Sequence, residues 1–176
     1  TAEYEGVVCG YGAVDGRLTF VYAQNAARLN GAFSKAAADK IAALYDMAKK
    51  NGAPVISVFD SNGAKLEEGI DVLSGYGKVM KKAASLKGKV PQISVIVGNC
   101  AGAASVIASM ADVSVMADVS YAAPKCNKTL PTYWAFTFWG IKGMLRFNYA
   151  SSDLYVYTTE EEILPCPPAE ITILRD

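Results

Sequence analysis

The sequence predicts a single-domain α/β protein, and three features carry that reading. Apolar β-branched runs alternate with segments of helical spacing, in the order strand, turn, helix, strand, turn, helix, strand. Two of these runs, at residues 54–65 and 91–103, each end in a glycine-bearing turn that opens into a helix-like segment. Such a turn leaves backbone N–H groups without partners, and two of them side by side can bind one developing oxyanion. The third feature is Asp15-Gly16, which separates β-prone runs at 6–13 and 17–23 and signals a hairpin.

Beyond the hairpin, Ala37, Ile41, Leu44, Tyr45 and Ala48 recur at helical spacing. Ser34 can cap the start and Asn51-Gly52 stops the run, so residues 34–50 are predicted to form an amphipathic helix. Residues 54–59 then read as a strand of a parallel sheet covered on both faces. Residues 67–86 contain Gly69, Gly75 and Gly77 yet keep Ile70, Leu73, Tyr76 and Val79 or Met80 on one face, which predicts a helix in one or two pieces. A strand at 93–97, a short helix of small residues at 103–110 and a strand at 113–116 complete the alternation, with right-handed crossovers.

The last third has a different pattern. Residues 121–149 carry Trp134, Phe136, Phe138, Trp139, Phe147 and Tyr149 without a clear period, which reads as an aromatic packing surface suited to another subunit. Residues 154–157 read as a final strand. Thr158 or Thr159 can cap a short helix at 160–164, ended by Pro165, Pro167 and Pro168.

Composition narrows the chemistry. With 176 residues and 52% hydrophobic side chains, the chain can bury a real core, and disorder is not expected. Lys+Arg 17 balance Asp+Glu 17, so no global field draws the chain to nucleic acid, and the basic stretch at 78–89 reads as a solvated helix face. Histidine is absent. That excludes Ser-His-Asp and Cys-His catalysis and removes the commonest zinc ligand. Cys9, Cys100, Cys126 and Cys166 are scattered without a C-x-x-C pair, so neither a metal site nor a dithiol redox motif is expected. Cys100 lies in the second glycine turn, but no partner base can be named for it, and it reads as a small buried thiol. No signal peptide is visible, which points to a reducing, cytoplasmic compartment. Asp112 and Asp118 interrupt the apolar window at 101–119, so no membrane span is expected. The chain begins at Thr1, which leaves open a processed or truncated product.

A set of motifs in fixed order then carries a resemblance. These are Gly10-Tyr-Gly-Ala-Val-Asp-Gly-Arg-Leu, Lys40-Ile41, Asn51-Gly-Ala-Pro-Val-Ile, Asp60-Ser-Asn-Gly-Ala-Lys-Leu-Glu-Glu-Gly, Gly75-Tyr-Gly and Val90-Pro-Gln-Ile-Ser-Val-Ile-Val-Gly-Asn-Cys-Ala-Gly. Together they resemble the acyl-CoA carboxyltransferases of biotin-dependent carboxylases and decarboxylases, in the crotonase-like superfamily. The resemblance runs continuously over residues 6–118, with a weaker echo at 154–164. It implies a crotonase-like ββα superhelix and an acyl-CoA substrate. It also implies two backbone N–H groups that hold the thioester oxygen as it becomes an enolate, while a carboxyl group moves to or from biotin. Carried onto this chain, the first turn contributes Gly63 and Ala64, and the second contributes Gly102 and Ala103. Asn62, Lys65 and Gly31 are assigned to acyl-CoA binding, with Lys65 able to supply charge to a CoA phosphate. Within the motifs, Asn62, Lys65 and Ala103 stand where the family usually shows Gly, Arg and Gly. Asn30-Gly31 stands for a usual Gly-Gly pair, and Ala37 falls at a nearby His position.

The resemblance also implies partners. A complete carboxyltransferase uses two crotonase-type halves and this length has room for one, so a homo-oligomer or a second carboxyltransferase subunit is expected, together with a biotinyl carrier protein. Two other readings remain open. One is a crotonase-type enoyl-CoA hydratase or isomerase using Glu67 or Glu68 as general base. The other is a non-catalytic scaffold subunit of the same fold, motivated by Asn62, Lys65 and Ala103.

Overall fold

Asp15 and Gly16 both take positive φ, 48° and 72°, the combination that lets a two-residue turn match the twist of its strands. They join β1 (Val7–Val14) to β2 (Arg17–Gln24), antiparallel and in unbroken register from Val7 opposite Gln24 to Val14 opposite Arg17. The hairpin is therefore as the sequence predicts. The computed structural model describes residues 6–120, 133–140, 143–148, 153–158 and 163–166. The chain divides into two compact units, Thr1–Ser114 and Val115–Asp176.

In the first unit, α1 (Lys35–Asn51) begins where Ser34 Oγ accepts the Ala37 N–H at 3.0 Å. It ends where Gly52, in the left-handed region, donates to the Ala48 and Lys49 carbonyls. Both caps match the sequence signals. β3 (Val55–Ser61) lies parallel between β2 and β4 (Gln92–Cys100). Its burial alternates: Val55, Ser57, Phe59 and Ser61 are buried, whereas Ile56, Val58 and Asp60 are half-buried. This corrects the expectation of a strand covered on both faces, because a short β-branched run does not distinguish one covered face from two. The core joins Phe20, Tyr22, Val55 and Phe59 of the sheet to apolar side chains of all three helices of this unit.

The expected helix at 67–86 is built in two parts. A 3-10 turn, Leu66–Glu68, is followed by Gly69 at φ 55°, ψ −127°, and α2 (Ile70–Leu86) then continues through Gly75 and Gly77. Its buried face is Val72, Gly75, Tyr76, Val79, Ala83 and Leu86, while Ile70 and Leu73 are 81% and 64% exposed. The predicted apolar face is thus rotated in its first half. The reason lies at Gly75, where an added Cβ would stand 2.9 Å from Ala38 Cβ of α1. The glycine lets the two helices approach closely there, and that contact turns Ile70 and Leu73 outward. Two ion pairs cross the same helix pair, Lys78 to Asp39 and Lys82 to Asp46, both at 2.6 Å. They occupy part of the basic stretch that the sequence reads as a solvated face. α3 (Ala103–Ser109) comes after β4, and β5 (Val113–Ser120) leads into the second unit.

That unit carries an antiparallel meander of β6 (Tyr133–Gly140), β7 (Gly143–Asn148), β8 (Asp153–Thr158) and β9 (Ile163–Cys166). β6 and β7 give a place to part of the aromatic stretch, with Phe136 opposite Phe147 and Trp139 opposite Met144. A hollow of about 240 Å³ is lined by Met116, Ala135, Thr137, Trp139, Met144 and Arg146. β9 corrects the short helix expected at 160–164, since Ile163 and Leu164 pair with Tyr157 and Val156 of β8. An isolated helix that short has too few internal hydrogen bonds to compete with a strand ladder. Residues 159–162 of that segment lie outside the described residues. Among the described residues no helix is long and apolar enough to cross a membrane.

Candidate functional site

Ser61, the last residue of β3, ties the two glycine turns together. It is fully buried, and its hydroxyl donates to the Gly31 carbonyl at 2.6 Å and accepts the Gly63 N–H at 3.2 Å. Its own carbonyl accepts the Ala101 N–H at 3.1 Å. One side chain and one carbonyl therefore connect the segment before α1, the first turn and the second turn. The sequence reading missed Ser61, although a serine closing a β-branched run just before a glycine turn is the signal that marks it.

The first turn is then fixed amide by amide. Asn62 N–H donates to Asn30 O at 3.1 Å, and Lys65 N–H to Phe33 O at 2.9 Å, while Phe33 N–H donates to Gly63 O at 2.8 Å. With Gly63 turned to Ser61, the Ala64 N–H is left without an acceptor among the described residues. In the second turn Ala101 is used, and the amides of Gly102 and Ala103 likewise have no acceptor among those residues. The structure brings the two predicted turns next to each other: a Cβ built on Gly63 would lie 3.9 Å from the Ala101 carbonyl oxygen. Gly63 holds φ 112° and Gly102 φ 63°, conformations that residues with a Cβ rarely adopt.

Gly31, also predicted for the site, is buried at φ 68°, and an added Cβ would overlap the Asp60 carbonyl oxygen. Its N–H donates to Arg28 O at 2.9 Å and its carbonyl takes the Ser61 hydroxyl, so both polar groups are used within the chain. Asn62 is exposed, and its Oδ1 accepts the Asn99 Nδ2 amide at 2.5 Å. Lys65 Nζ lies 3.3 Å from Glu68 Oε1. Glu68 Oε2 accepts the Lys35 N–H at the start of α1 at 2.6 Å, which makes it a helix partner, and Glu67 is exposed.

Two groups near the turns have shifted acidity, and both remain neutral at pH 7. Burial pushes the Cys100 thiol up. Burial, and then the nearby Cys100, push the Tyr76 phenol up to about 12. A thiol shifted in that direction is less nucleophilic, in line with the sequence reading of Cys100. The arrangement is thus a set of neutral backbone donors on two adjoining turns, with one lysine beside them. Such donors can hold a negative oxygen, and their charge does not change with pH.

The sequence and the fold are similar to those of known proteins. Residues 2–123 match the carboxyl transferase domain family. Over 118 residues the chain is 44% identical to the propionyl-CoA carboxylase beta chain of Roseobacter denitrificans, covering 66% of this chain and 23% of that protein. It is 44% identical over 114 residues to the alpha subunit of methylmalonyl-CoA decarboxylase of Propionigenium modestum, covering 65% and 22%. The crystal structure of transcarboxylase 12S, a hexamer solved with hydrolysed methylmalonyl-coenzyme A bound, superposes with a TM-score of 0.62 at 38% identity, covering 63% of this chain and 22% of that one. A Pseudomonas malonate decarboxylase hetero-tetramer, at 22% identity and a TM-score of 0.60, shares the fold alone, over 63% and 43% of the two chains. The chain therefore spans about a quarter of the length of the carboxylase and decarboxylase relatives it matches.

Proposed function

The chain belongs to the carboxyl transferase domain family, and from that premise we propose that it binds an acyl-CoA thioester and stabilises its enolate while a carboxyl group moves to or from biotin. The fold is the crotonase-like α/β fold that the resemblance implies, shared with the transcarboxylase structure. The observation that carries the reading is the trio of amides without an acceptor among the described residues, Ala64 with Gly102 and Ala103, on turns tied by Ser61. When a carboxyl group leaves the α-carbon, the bonding electron pair passes into the thioester, and its oxygen becomes negative. Two N–H donors aimed at that oxygen are stronger partners for the enolate than for the starting carbonyl, which is the differential binding that accelerates the step. Removal of an α-proton before carboxylation ends in the same enolate.

Lys65 and Asn62 stand beside the first turn, where Lys65 supplies positive charge toward a CoA phosphate as a point charge. Biotin, carried on a partner protein, supplies the carboxyl acceptor or donor. The engagement of Glu68 with the Lys35 N–H argues against its use as the base of a hydratase or isomerase. In the proposal the protein works in the cytoplasm with a second carboxyltransferase half, supplied by another copy or by a partner subunit. The test is a thermal-shift panel of CoA, acetyl-CoA, propionyl-CoA, malonyl-CoA and methylmalonyl-CoA. A ligand at 100 times its Kd stabilises the folded state by about 2.7 kcal/mol, so a rise of several degrees is expected with at least one acyl-CoA. No shift with any member would overturn the reading.

A further inference from the structure

The spacing between the two turns is set by an irregularity in the sheet. Phe59 of β3 stands opposite Ile96 of β4, but Ser61 stands opposite Cys100, so β4 advances four residues while β3 advances two. The surplus falls on Val97, Gly98 and Asn99, immediately before the second turn. Bulges of this kind bend a strand and re-aim the residues beyond them. Here the surplus is held from the facing strand. Asp60 Oδ1 accepts the Asn99 N–H at 3.2 Å, and the Asp60 carboxylate lies so close over Gly98 that a Cβ there would overlap Oδ1. The Asn99 side chain then reaches across, its Nδ2 donating to Asn62 Oδ1 at 2.5 Å. Asn62 belongs to the first turn and Asn99 to the approach to the second, so one side-chain bond spans the two.

We propose that Asp60, Asn62 and Asn99 are positioning residues that hold the bulge of β4 and so fix the separation of the backbone donors on the two turns. The proposal rests on the acyl-CoA reading above and names what tunes that site. It makes Asn62 one half of a clasp whose other half is Asn99. In this proposal the role of the three residues in positioning is carried by their contacts within the chain. They act through the backbone of Ala64, Gly102 and Ala103, because the angle between two donors depends on the frames that carry them.

The test reads the thioester carbonyl directly. Propionyl-CoA labelled with carbon-13 at the carbonyl is bound to the full chain, and the carbonyl stretch is monitored by infrared difference spectroscopy. Donors aimed at the oxygen lower the stretch. In Asn99→Ala, which keeps the backbone bond to Asp60 and loses only the clasp, the lowering should shrink and propionyl-CoA should bind about five-fold more weakly. Affinity for free CoA, which has no thioester oxygen, should be unchanged in that variant. Asp60→Ala should also shrink the lowering, and Asp60→Asn, which retains an oxygen for the Asn99 N–H, should restore most of it. A full lowering in both Asn99→Ala and Asp60→Ala would overturn the proposal. Equal losses for CoA and propionyl-CoA in Asn99→Ala would overturn it too, since they would show general damage to binding. Failure of the unmodified protein to bind propionyl-CoA would instead remove the acyl-CoA reading, and this proposal with it.

Discussion

Ser61 shows why the site was only partly legible at the level of single residues. The glycines of both turns stand out in the sequence because few other residues take their dihedrals. Ser61, Asp60 and Asn99 do not, because their roles depend on which residues face them across the sheet, and a two-residue slip in register hides that from any one-dimensional pattern. Gly31 gives a direct check. Its positive φ and the overlap of an added Cβ with the Asp60 carbonyl predict that Gly31→Ala loses about 3 kcal/mol, read as a lower urea midpoint with an unchanged slope. A loss under about 0.5 kcal/mol, the level of an ordinary surface substitution, would contradict the packing described for it. Tyr76 gives the opposite case. It is 3% exposed and stacks on Phe33 with ring centroids 4.1 Å apart, yet its hydroxyl has no partner among the described residues. Tyr76→Phe removes a buried polar group that makes no bond and should leave the melting temperature unchanged or raise it by about 2–4 °C. A clear fall would mean that the hydroxyl is engaged.

At the level of elements, the sequence was most informative where local chemistry alone decides the structure. The Asp15-Gly16 hairpin and both ends of α1 result from turn and cap residues acting on their own neighbours. Ser34 is the clearest example, fully buried with its hydroxyl on the Ala37 amide. Ser34→Ala should destabilise the fold by about 1 kcal/mol, a drop of about 2–4 °C in calorimetry, and Ser34→Thr should recover most of it. If Ser34→Ala melted with the parent protein, the cap would contribute nothing. The misreadings came where tertiary contact decides. The face of α2 is set by the meeting of Gly75 with Ala38, and β9 is a strand because β8 lies beside it. Neither partner is visible from within the segment itself.

For the molecule as a whole, the absence of histidine and the burial of several weak acids set the response to pH. Burial raises the pKa of Cys9, Cys100, Tyr22, Tyr45 and Tyr76, the effect on Cys9 being partly offset by Lys40. Each is neutral in the folded state, and each ionises earlier in the unfolded chain, near its ordinary value of about 8.5 for a thiol or about 10 for a phenol. The unfolded state therefore binds fewer protons above those values, and stability falls as pH rises. For Tyr76 the loss spans the interval from about 10 to about 12. Urea midpoints should be flat from about pH 6 to 8 and decline steadily above about 9, and a decline that begins near neutrality would contradict this account. The proposed second half makes a separate prediction. Size-exclusion with light scattering should give a mass well above the 18.7 kDa of one chain, or a pull-down should return a carboxyltransferase partner. A monomer at high concentration that captures nothing would count against it.

The amides of Ala64, Gly102 and Ala103 belong to the main chain, so every residue type except proline supplies the same group. An alanine scan across the two turns would consequently chart the scaffolding and pass over the donors themselves. Their contribution becomes visible only when one amide is exchanged for an ester by chemical synthesis, which removes the N–H and keeps the side chain. The proposed contact therefore does not depend on the side chain of Ala64 or Ala103, whereas Gly102 is held to glycine by its φ of 63°.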